Sequence, residues 1–364
     1  MDRIRLGIIG ASPERGWGKN THIPALEHLP EYDLVAVCTS RQESADAAAK
    51  AFGASHAFSD YRELVQSPDI DAVTIAVRVP WHREMALAAL AAGKHVYCEW
   101  PLAQNPEEGA EIVAAADAAG LRNMVGLQGR FAPWVRYVKE LVEDGTLGRI
   151  YSVNARLGIG HGYQRPGMAW AAKKAAGNHI LAIYVPHQLE LIFNTVGRLT
   201  QGSAQIGTQF TPWILPDDPT PIDTDAPDNV AVQGTLEGGA SLSFHAAFVP
   251  AASTGWRLEI YGENGTVVAT ARSGGHSNVN RLQGAIDGSS EISDLEVPDR
   301  FRAVPAEVPS TSALNVAHAY KEFAQAIAEE RSAAPDFAYG LSTLNMLAEF
   351  ERSSEEGRRL TFGG

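Results

Sequence analysis

The 364-residue sequence predicts an α/β protein in two parts: an N-terminal doubly wound domain, then a C-terminal α/β domain built on a largely antiparallel sheet. Three observations carry this expectation. Short apolar runs alternate with helical patterns through the first third of the chain, which implies parallel strands joined by crossover helices. The character changes near Gln128. Between Asn229 and Ala271, long alternating runs are broken by Glu237-Gly238-Gly239 and Gly262-Glu263-Asn264-Gly265, the pattern of an antiparallel sheet with one covered face.

Strand-like runs occupy residues 4–9, 34–38, 72–77, 95–98 and 124–127. Helical spacing covers residues 21–29, 43–52, 61–66, 82–92 and 105–120. Residues 134–144 form an amphipathic pattern, and 150–159 read as the first strand of the second domain. Helices are expected over 179–195 and 313–330, where they would cover its sheet. The stretches 211–228 and 272–311, rich in Pro, Asp, Ser and Gly, read as loops. The boundary falls at 125–130, giving domains 1–127 and 128–364.

Composition narrows the function class. Hydrophobic residues make up 45% and charged residues 20%, an ordinary globular balance. A net charge of −13 repels phosphate backbones, so no nucleic-acid partner is expected. Cys38 and Cys98 lie inside apolar runs and read as reduced buried thiols. The chain runs from Met1-Asp2-Arg3 straight into its first strand, so no secretory leader is expected. No apolar run reaches the ~18 residues of a membrane helix. A cytoplasmic protein without a membrane partner follows. The Pro-broken acidic run with Asp217, Asp218, Asp223, Asp225 and Asp228 reads as solvated, and no metal is expected.

The first strand ends in Gly7-Ile8-Ile9-Gly10-Ala11-Ser12. A Gly-rich turn between a strand and a helix lets backbone N–H groups meet a pyrophosphate. The spacing departs from Gly-x-Gly-x-x-Gly, because Ser12 stands at the second glycine and residues 13–19 enlarge the loop. A tight turn with no ligand is the other reading of this loop alone. The second strand ends in Val37-Cys38-Thr39-Ser40-Arg41, without the acidic residue that bonds a ribose 2′-OH. Ser40 and Arg41 favour NADP while leaving NAD open.

Residues Ala92 to Pro101, Ala-Gly-Lys-His-Val-Tyr-Cys-Glu-Trp-Pro, resemble the "AGKHVxCEKP" strand-end motif of the glucose–fructose oxidoreductase/inositol dehydrogenase (Gfo/Idh/MocA) family. Residues 71–76 through His82, Val125-Gly126-Leu127-Gln128-Gly129-Arg130, Leu147-Gly148-Arg149-Ile150 and Pro335-Asp336-Phe337 with Gly340 resemble its further motifs in order. Gly16-Trp17, Thr21-His22-Ile23-Pro24-Ala25-Leu26, Val77-Arg78-Val79-Pro80-Trp81-His82 and Glu99-Trp100-Pro101 resemble its Gal80-like branch. That branch includes the fungal galactose-pathway repressor. The resemblance implies an N-terminal Rossmann dinucleotide-binding domain, a C-terminal substrate and oligomerisation domain, a cleft between them, and a homodimer or homotetramer. By position it puts Gly10, Ser12, Gly16 and Trp17 along the pyrophosphate. Ser40 and Arg41 fall near the adenosine ribose, and Val79, His82, Glu99 and Gln128 near the nicotinamide.

The same resemblance marks two departures. Trp100 stands where the family carries its catalytic lysine, and Ile183 stands at the Asp of "Asp-x-Gly-x-His", whose His is matched by His187. Indole N–H only donates, so Trp100 cannot act as a base. An imidazole can. His187 as base, assisted by Tyr184 one helical turn away, is therefore the expected catalytic pair; a substrate-orienting or structural histidine is the alternative. Trp100 either fills the vacated space or offers a flat wall to a ring. His161, Tyr163 and His179, with Arg165 nearby, are candidate substrate contacts. The expected function is an NAD(P)-dependent oxidoreductase acting on a sugar-like or other small polyhydroxy or cyclic substrate. A silent dinucleotide-binding sensor and a redox-neutral lyase or isomerase are the alternatives.

Overall fold

The computed structural model describes residues 3–160, 166–249, 251–277, 279–286 and 288–362. The first strands and helices alternate as the sequence predicts: β1 (Ile4–Ile9), a π turn (Gly18–His22) running into α1 (Ile23–Leu26), β2 (Tyr32–Cys38), α2 (Gln42–Phe52), β3 (His56–Phe58) and α3 (Tyr61–Gln66). They continue with β4 (Ala72–Ile75), α4 (His82–Ala91), β5 (His95–Glu99), α5 (Pro106–Ala119) and β6 (Asn123–Gly126). The six strands form a parallel sheet in the order β3-β2-β1-β4-β5-β6, the doubly wound order whose reversal point lies between β1 and β4. Every residue of β4 is buried, as expected for a strand covered on both faces. Local chemistry sets the helix ends. The side chain of Asp60 accepts from the N–H of Arg62, Asn105 accepts from that of Glu108, Pro106 opens α5, and Gly120 closes it at φ +63°. The three residues of β3 are too few to show an alternating pattern.

The remaining elements are α6 (Pro133–Glu143), β7 (Ile150–Gly160), α7 (Val185–Thr195), β8 (Leu199–Gly207), β9 (Trp213–Leu215), β10 (Asp218–Ile222), β11 (Asn229–Leu236) and β12 (Ser241–Val249). After them come β13 (Trp256–Gly262), β14 (Thr266–Ala271), β15 (Arg281–Ala285), β16 (Ser293–Asp294), α8 (Ser312–Ala328), α9 (Phe337–Glu356) and β17 (Leu360–Thr361). Among the described residues, nine of these strands form one sheet, ordered β16-β15-β14-β13-β7-β12-β11-β8-β17. All its pairings are antiparallel except β7 with β12. Trp134 on α6 meets Trp256 on β13 edge-on, ring centroids 5.7 Å apart, in the core under the sheet.

By packing, the chain divides into Met1–Gln128 with Ala303–Leu344, and Gly129–Arg302 with Asn345–Gly364. The helix expected at 313–330 to cover the second sheet belongs instead to the first unit. There the Tyr320 hydroxyl is 2.8 Å from both Thr74 Oγ1 and His22 Nδ1, and the Tyr32 hydroxyl donates to the Tyr320 carbonyl. Tyr320 and Phe323 are fully buried among the rings of Tyr32 and Tyr97, which decides where that apolar face goes.

Two stretches expected to be loops contain strands. A β9–β10 hairpin lies within 211–228, and β15 and β16 lie within 272–311; backbone pairing to a neighbouring strand, which local composition does not reveal, orders them. The acidic residues of the first stretch serve the chain around them. Asp228 accepts from the backbone N–H groups of Gln209 and Phe210, Asp225 from Lys174, and Asp217 from Gly167.

Candidate functional site

In the first unit the sequence-predicted cofactor residues gather at the C-terminal ends of the parallel strands. Gly10 follows β1 with φ +104°, and an added Cβ would sit 2.4 Å from the Ala76 carbonyl oxygen. The loop leaves through Ser12, whose Oγ accepts from the Glu14 N–H, and returns at Gly18, where a Cβ would sit 3.0 Å from Ala11 Cα. Close backbone approach therefore falls on Gly10 and Gly18. Gly16 has φ +110° with open space around it. Gly18 was missed by the sequence reading, although it stands beside the predicted Gly16-Trp17 pair. The Trp17 Nε1 is buried without a hydrogen-bond partner among the described residues.

Beyond β2, the hydroxyl of Ser44 donates to the Arg41 carbonyl, pinning the backbone at the start of α2. Ser40 and Arg41 are both exposed, and no carboxylate lies within ion-pair distance of Arg41 among the described residues. Val79 is buried in the short turn ahead of α4. His82 is buried, with Nδ1 2.7 Å from the Pro101 carbonyl and Nε2 3.1 Å from the Val77 carbonyl. Its ring thus ties the chain after β4 to the chain after β5, and burial pulls its pKa down. Trp100 is buried beside Pro101, joined to it by a cis peptide.

Glu99 ends β5 and is buried, with Oε1 3.0 Å from His22 Nε2, within ion-pair distance but without hydrogen-bond alignment. Gly126 lies against it, since a Cβ there would meet Glu99 Oε1 at 2.7 Å. His22 in turn reaches Tyr320 and Thr74, so a buried polar chain runs behind Glu99. Gln128 is buried, and among the described residues its Oε1 has no hydrogen-bond partner. A dinucleotide fits this arrangement: backbone cleared of side chains at Gly10 and, among the described residues, a donor without a partner on Trp17 and an acceptor without a partner on Gln128.

In the second unit, α7 carries His187 on its buried face. Burial, and secondarily His276, holds its pKa well below the usual imidazole value, so the ring is neutral. Its Nδ1 has no hydrogen-bond partner among the described residues. The rings of His187 and His276 stack with centroids 4.6 Å apart and planes 14° apart. His276 sits between β14 and β15, where burial pushes its pKa down to about 4. Gln188 sets its position: Oε1 accepts from the Gly275 N–H at 3.0 Å, which turns Nε2 toward His276 Nδ1 at 2.7 Å. That bond makes Nδ1 of His276 the acceptor and puts its ring proton on Nε2. Arg130 and Glu190 form an ion pair at 2.5 Å, with Glu190 buried on α7 three residues after His187.

Tyr184 closes the π turn Ile180–Tyr184, and its ring meets Phe248 edge-on at 5.5 Å. His179 opens that turn, accepting at Nδ1 from the Ala182 N–H. Burial chiefly, with Lys174 adding to it, pushes its pKa down to about 4. His161, Tyr163 and Arg165 lie outside the described residues. The sequence reading missed His276, which stands in a stretch taken for a loop; its signal is the Gly274-Gly275 pair just before it, where a Cβ on Gly274 would strike the imidazole at 2.5 Å.

The model of an oxidoreductase family with an NAD-binding Rossmann fold matches residues 4–127, and that of the Gfo/Idh/MocA C-terminal domain matches residues 135–268. The chain belongs to the Gfo/Idh/MocA family. Within the Gfo/Idh/MocA relatives, dehydrogenase aclE of Aspergillus oryzae is 32% identical over 249 residues, covering 64% of this chain and 67% of its own. The galactose/lactose metabolism regulatory protein GAL80 of Saccharomyces cerevisiae is 31% identical over 173 residues, 45% of this chain and 40% of its own. Levoglucosan dehydrogenase, solved in complex with NADH and levoglucosan, has the same fold, with a TM-score of 0.84 at 24% identity over 100% of both chains. Named dehydrogenases and a regulator thus stand side by side among the Gfo/Idh/MocA proteins similar to this one. No helix among the described residues is long and apolar enough to cross a membrane.

Proposed function

We propose that the protein is an NAD(P)-dependent oxidoreductase acting on a sugar-like or other small polyhydroxy or cyclic substrate, with Trp100 in place of the family's catalytic lysine. One observation carries the reading: His187 is buried and neutral, and among the described residues its Nδ1 has no hydrogen-bond partner. Oxidising an alcohol requires a base that is unprotonated before the hydroxyl arrives. His187 meets that need and Trp100 does not. Bound nicotinamide supplies the hydride acceptor. Gly10, Ser12, Gly16 and Trp17 would hold the pyrophosphate, and Val79, His82, Glu99 and Gln128 the nicotinamide end. His187 takes the substrate proton with Tyr184 assisting, while Trp100, His161, Tyr163 and His179 would shape the substrate's surroundings. The exposed Arg41 with no carboxylate beside it supports NADP over NAD. We also propose a homodimer or homotetramer in the cytoplasm.

The test identifies the co-purified dinucleotide, then screens polyols and ketones by reduced-nicotinamide absorbance and by product mass. Turnover that falls at least 100-fold in His187→Ala, with cofactor still bound, supports the reading; a variant with full turnover overturns it. A second reading, a silent dinucleotide-binding sensor, is favoured by the apolar Trp100 and Ile183 and predicts cofactor binding without turnover of any substrate.

A further inference from the structure

Within the first unit, Glu99 ends a buried polar series that starts on β4 and α8. It closes β5, at the carboxyl end of the parallel sheet, where doubly wound folds hold their ligands. The His22 side chain is wholly inaccessible and brings Nε2 to 3.0 Å from Glu99 Oε1, whereas the Glu99 side chain keeps 11% of its surface. Of the two, Glu99 is the one a bound molecule can reach.

Aromatic neighbours hold the imidazole in place. Its ring stands edge-on to Tyr97 and to Tyr320, with centroids 5.7 and 5.6 Å away. A nitrogen lone pair facing a carboxylate oxygen would be repelled, so Nε2 carries a proton. Nδ1 then accepts from the Tyr320 hydroxyl at 2.8 Å, and that hydroxyl accepts from Thr74 Oγ1 at 2.8 Å. Thr74, Tyr320 and His22 are all buried, and each turns its proton toward Glu99. The last step is incomplete. His22 Nε2 and Glu99 Oε1 are out of hydrogen-bond alignment, and neither has another hydrogen-bond partner among the described residues. Buried polar atoms left in this state call for a functional partner. The oxidised nicotinamide ring carries a positive charge that the reduced ring lacks, and a carboxylate withdrawn from water attracts a nearby cation strongly.

We propose that His22, backed by Tyr320 and Thr74, is a positioning residue that aims the Glu99 carboxylate at the nicotinamide, so that the site holds the cationic oxidised dinucleotide in preference to the neutral reduced one. This rests on the reading that the nicotinamide end of a dinucleotide lies at Glu99. Glu99 supplies the charge that tells the two redox forms apart, and His22 sets where that charge stands. After hydride transfer the ring's positive charge is gone and the attraction with it, which favours release of the reduced cofactor.

Calorimetric titration of the full chain with the oxidised and reduced forms of NAD and of NADP tests this. The quantity read is the ratio of oxidised to reduced affinity, which a general loosening of the fold would not move. It is expected to fall at least about 10-fold in Glu99→Gln, a nearly isosteric change, through weaker binding of the oxidised form. His22→Phe is expected to lower it in the same direction, and His22→Gln, whose amide can still donate to Glu99, to restore most of it. An unchanged ratio in Glu99→Gln overturns the inference while leaving the dinucleotide site standing. Equal weakening of both redox forms in His22→Phe also overturns it, making His22 a scaffold residue. Wild-type protein that binds none of the four dinucleotides overturns the cofactor reading itself and the inference with it.

Discussion

His187 and His276 lie face to face, ring over ring, with 4.6 Å between centroids. One imidazole is carried by α7 and the other by the connection between β14 and β15, and Gln188 holds the second against the first. Two neutral rings stack in this way; two protonated ones would repel. Since His276 lowers the pKa of His187, His276→Gln is expected to raise it toward the ordinary imidazole range, read by NMR titration of the His187 ring. An unmoved His187 titration would contradict the electrostatic coupling.

Acid should unfold the protein through histidines that desolvation holds below their ordinary pKa. His179 and His276 are held down to about 4, so the unfolded chain binds more protons than the folded one between roughly pH 6.5 and 4. Stability is complete above the unfolded value and falls as pH drops through that window, by on the order of 3 kcal/mol for His179 alone. Urea midpoints measured across that range should decline for the wild type and flatten in His179→Gln.

The ion pair of Arg130 with Glu190 of α7 is nearly inaccessible to solvent. Removing one side of a buried ion pair is costly, so Glu190→Leu alone is expected to lose up to about 3–5 kcal/mol. The double variant Arg130→Met/Glu190→Leu should recover most of that loss in denaturant titrations. If the double variant is less stable than Glu190→Leu, the pair's role is not electrostatic.

Gly10→Ala places a Cβ against the Ala76 carbonyl in a left-handed backbone conformation. A loss of at least about 1–3 kcal/mol of stability is expected, together with loss of dinucleotide binding by fluorescence titration. Gly16→Ala meets no neighbouring atom and carries only the backbone penalty, so it should fall between Gly10→Ala and the wild type.

Arg41→Ala should weaken NADP by about 10- to 100-fold, the worth of one charge-assisted hydrogen bond, and leave NAD within about twofold. Parallel titrations with both dinucleotides check this. Equal weakening of the two would place Arg41 away from the 2′-phosphate.

Local signals made much of the first unit legible. Alternating apolar runs marked β1, β4 and β5 almost to the residue, Asp60 and Asn105 capped the helices they precede, and Gly10 stood at the turn its backbone requires. The family motif at Ala92–Pro101 led to Glu99 and Trp100, both of them buried. Hydrophobic period and capping act over a few residues, so a single segment is enough to read them.

Partnership between distant segments was decided only in three dimensions. Nothing local to 313–330 says that Tyr320 will bond His22 and Thr74 rather than cover the second sheet. Nothing local to Gly274-Gly275-His276 says that its ring will lie on His187. Nor does either β7 or β13 alone reveal that Arg156 and Arg257 will face each other. Each of these depends on strand register and on which buried surface an apolar face finds, and both are settled by long-range packing. The sequence by itself determined most elements of the first unit, the family and the Gly-rich turn after β1; the tertiary structure chose the neighbours of the residues proposed to do chemistry.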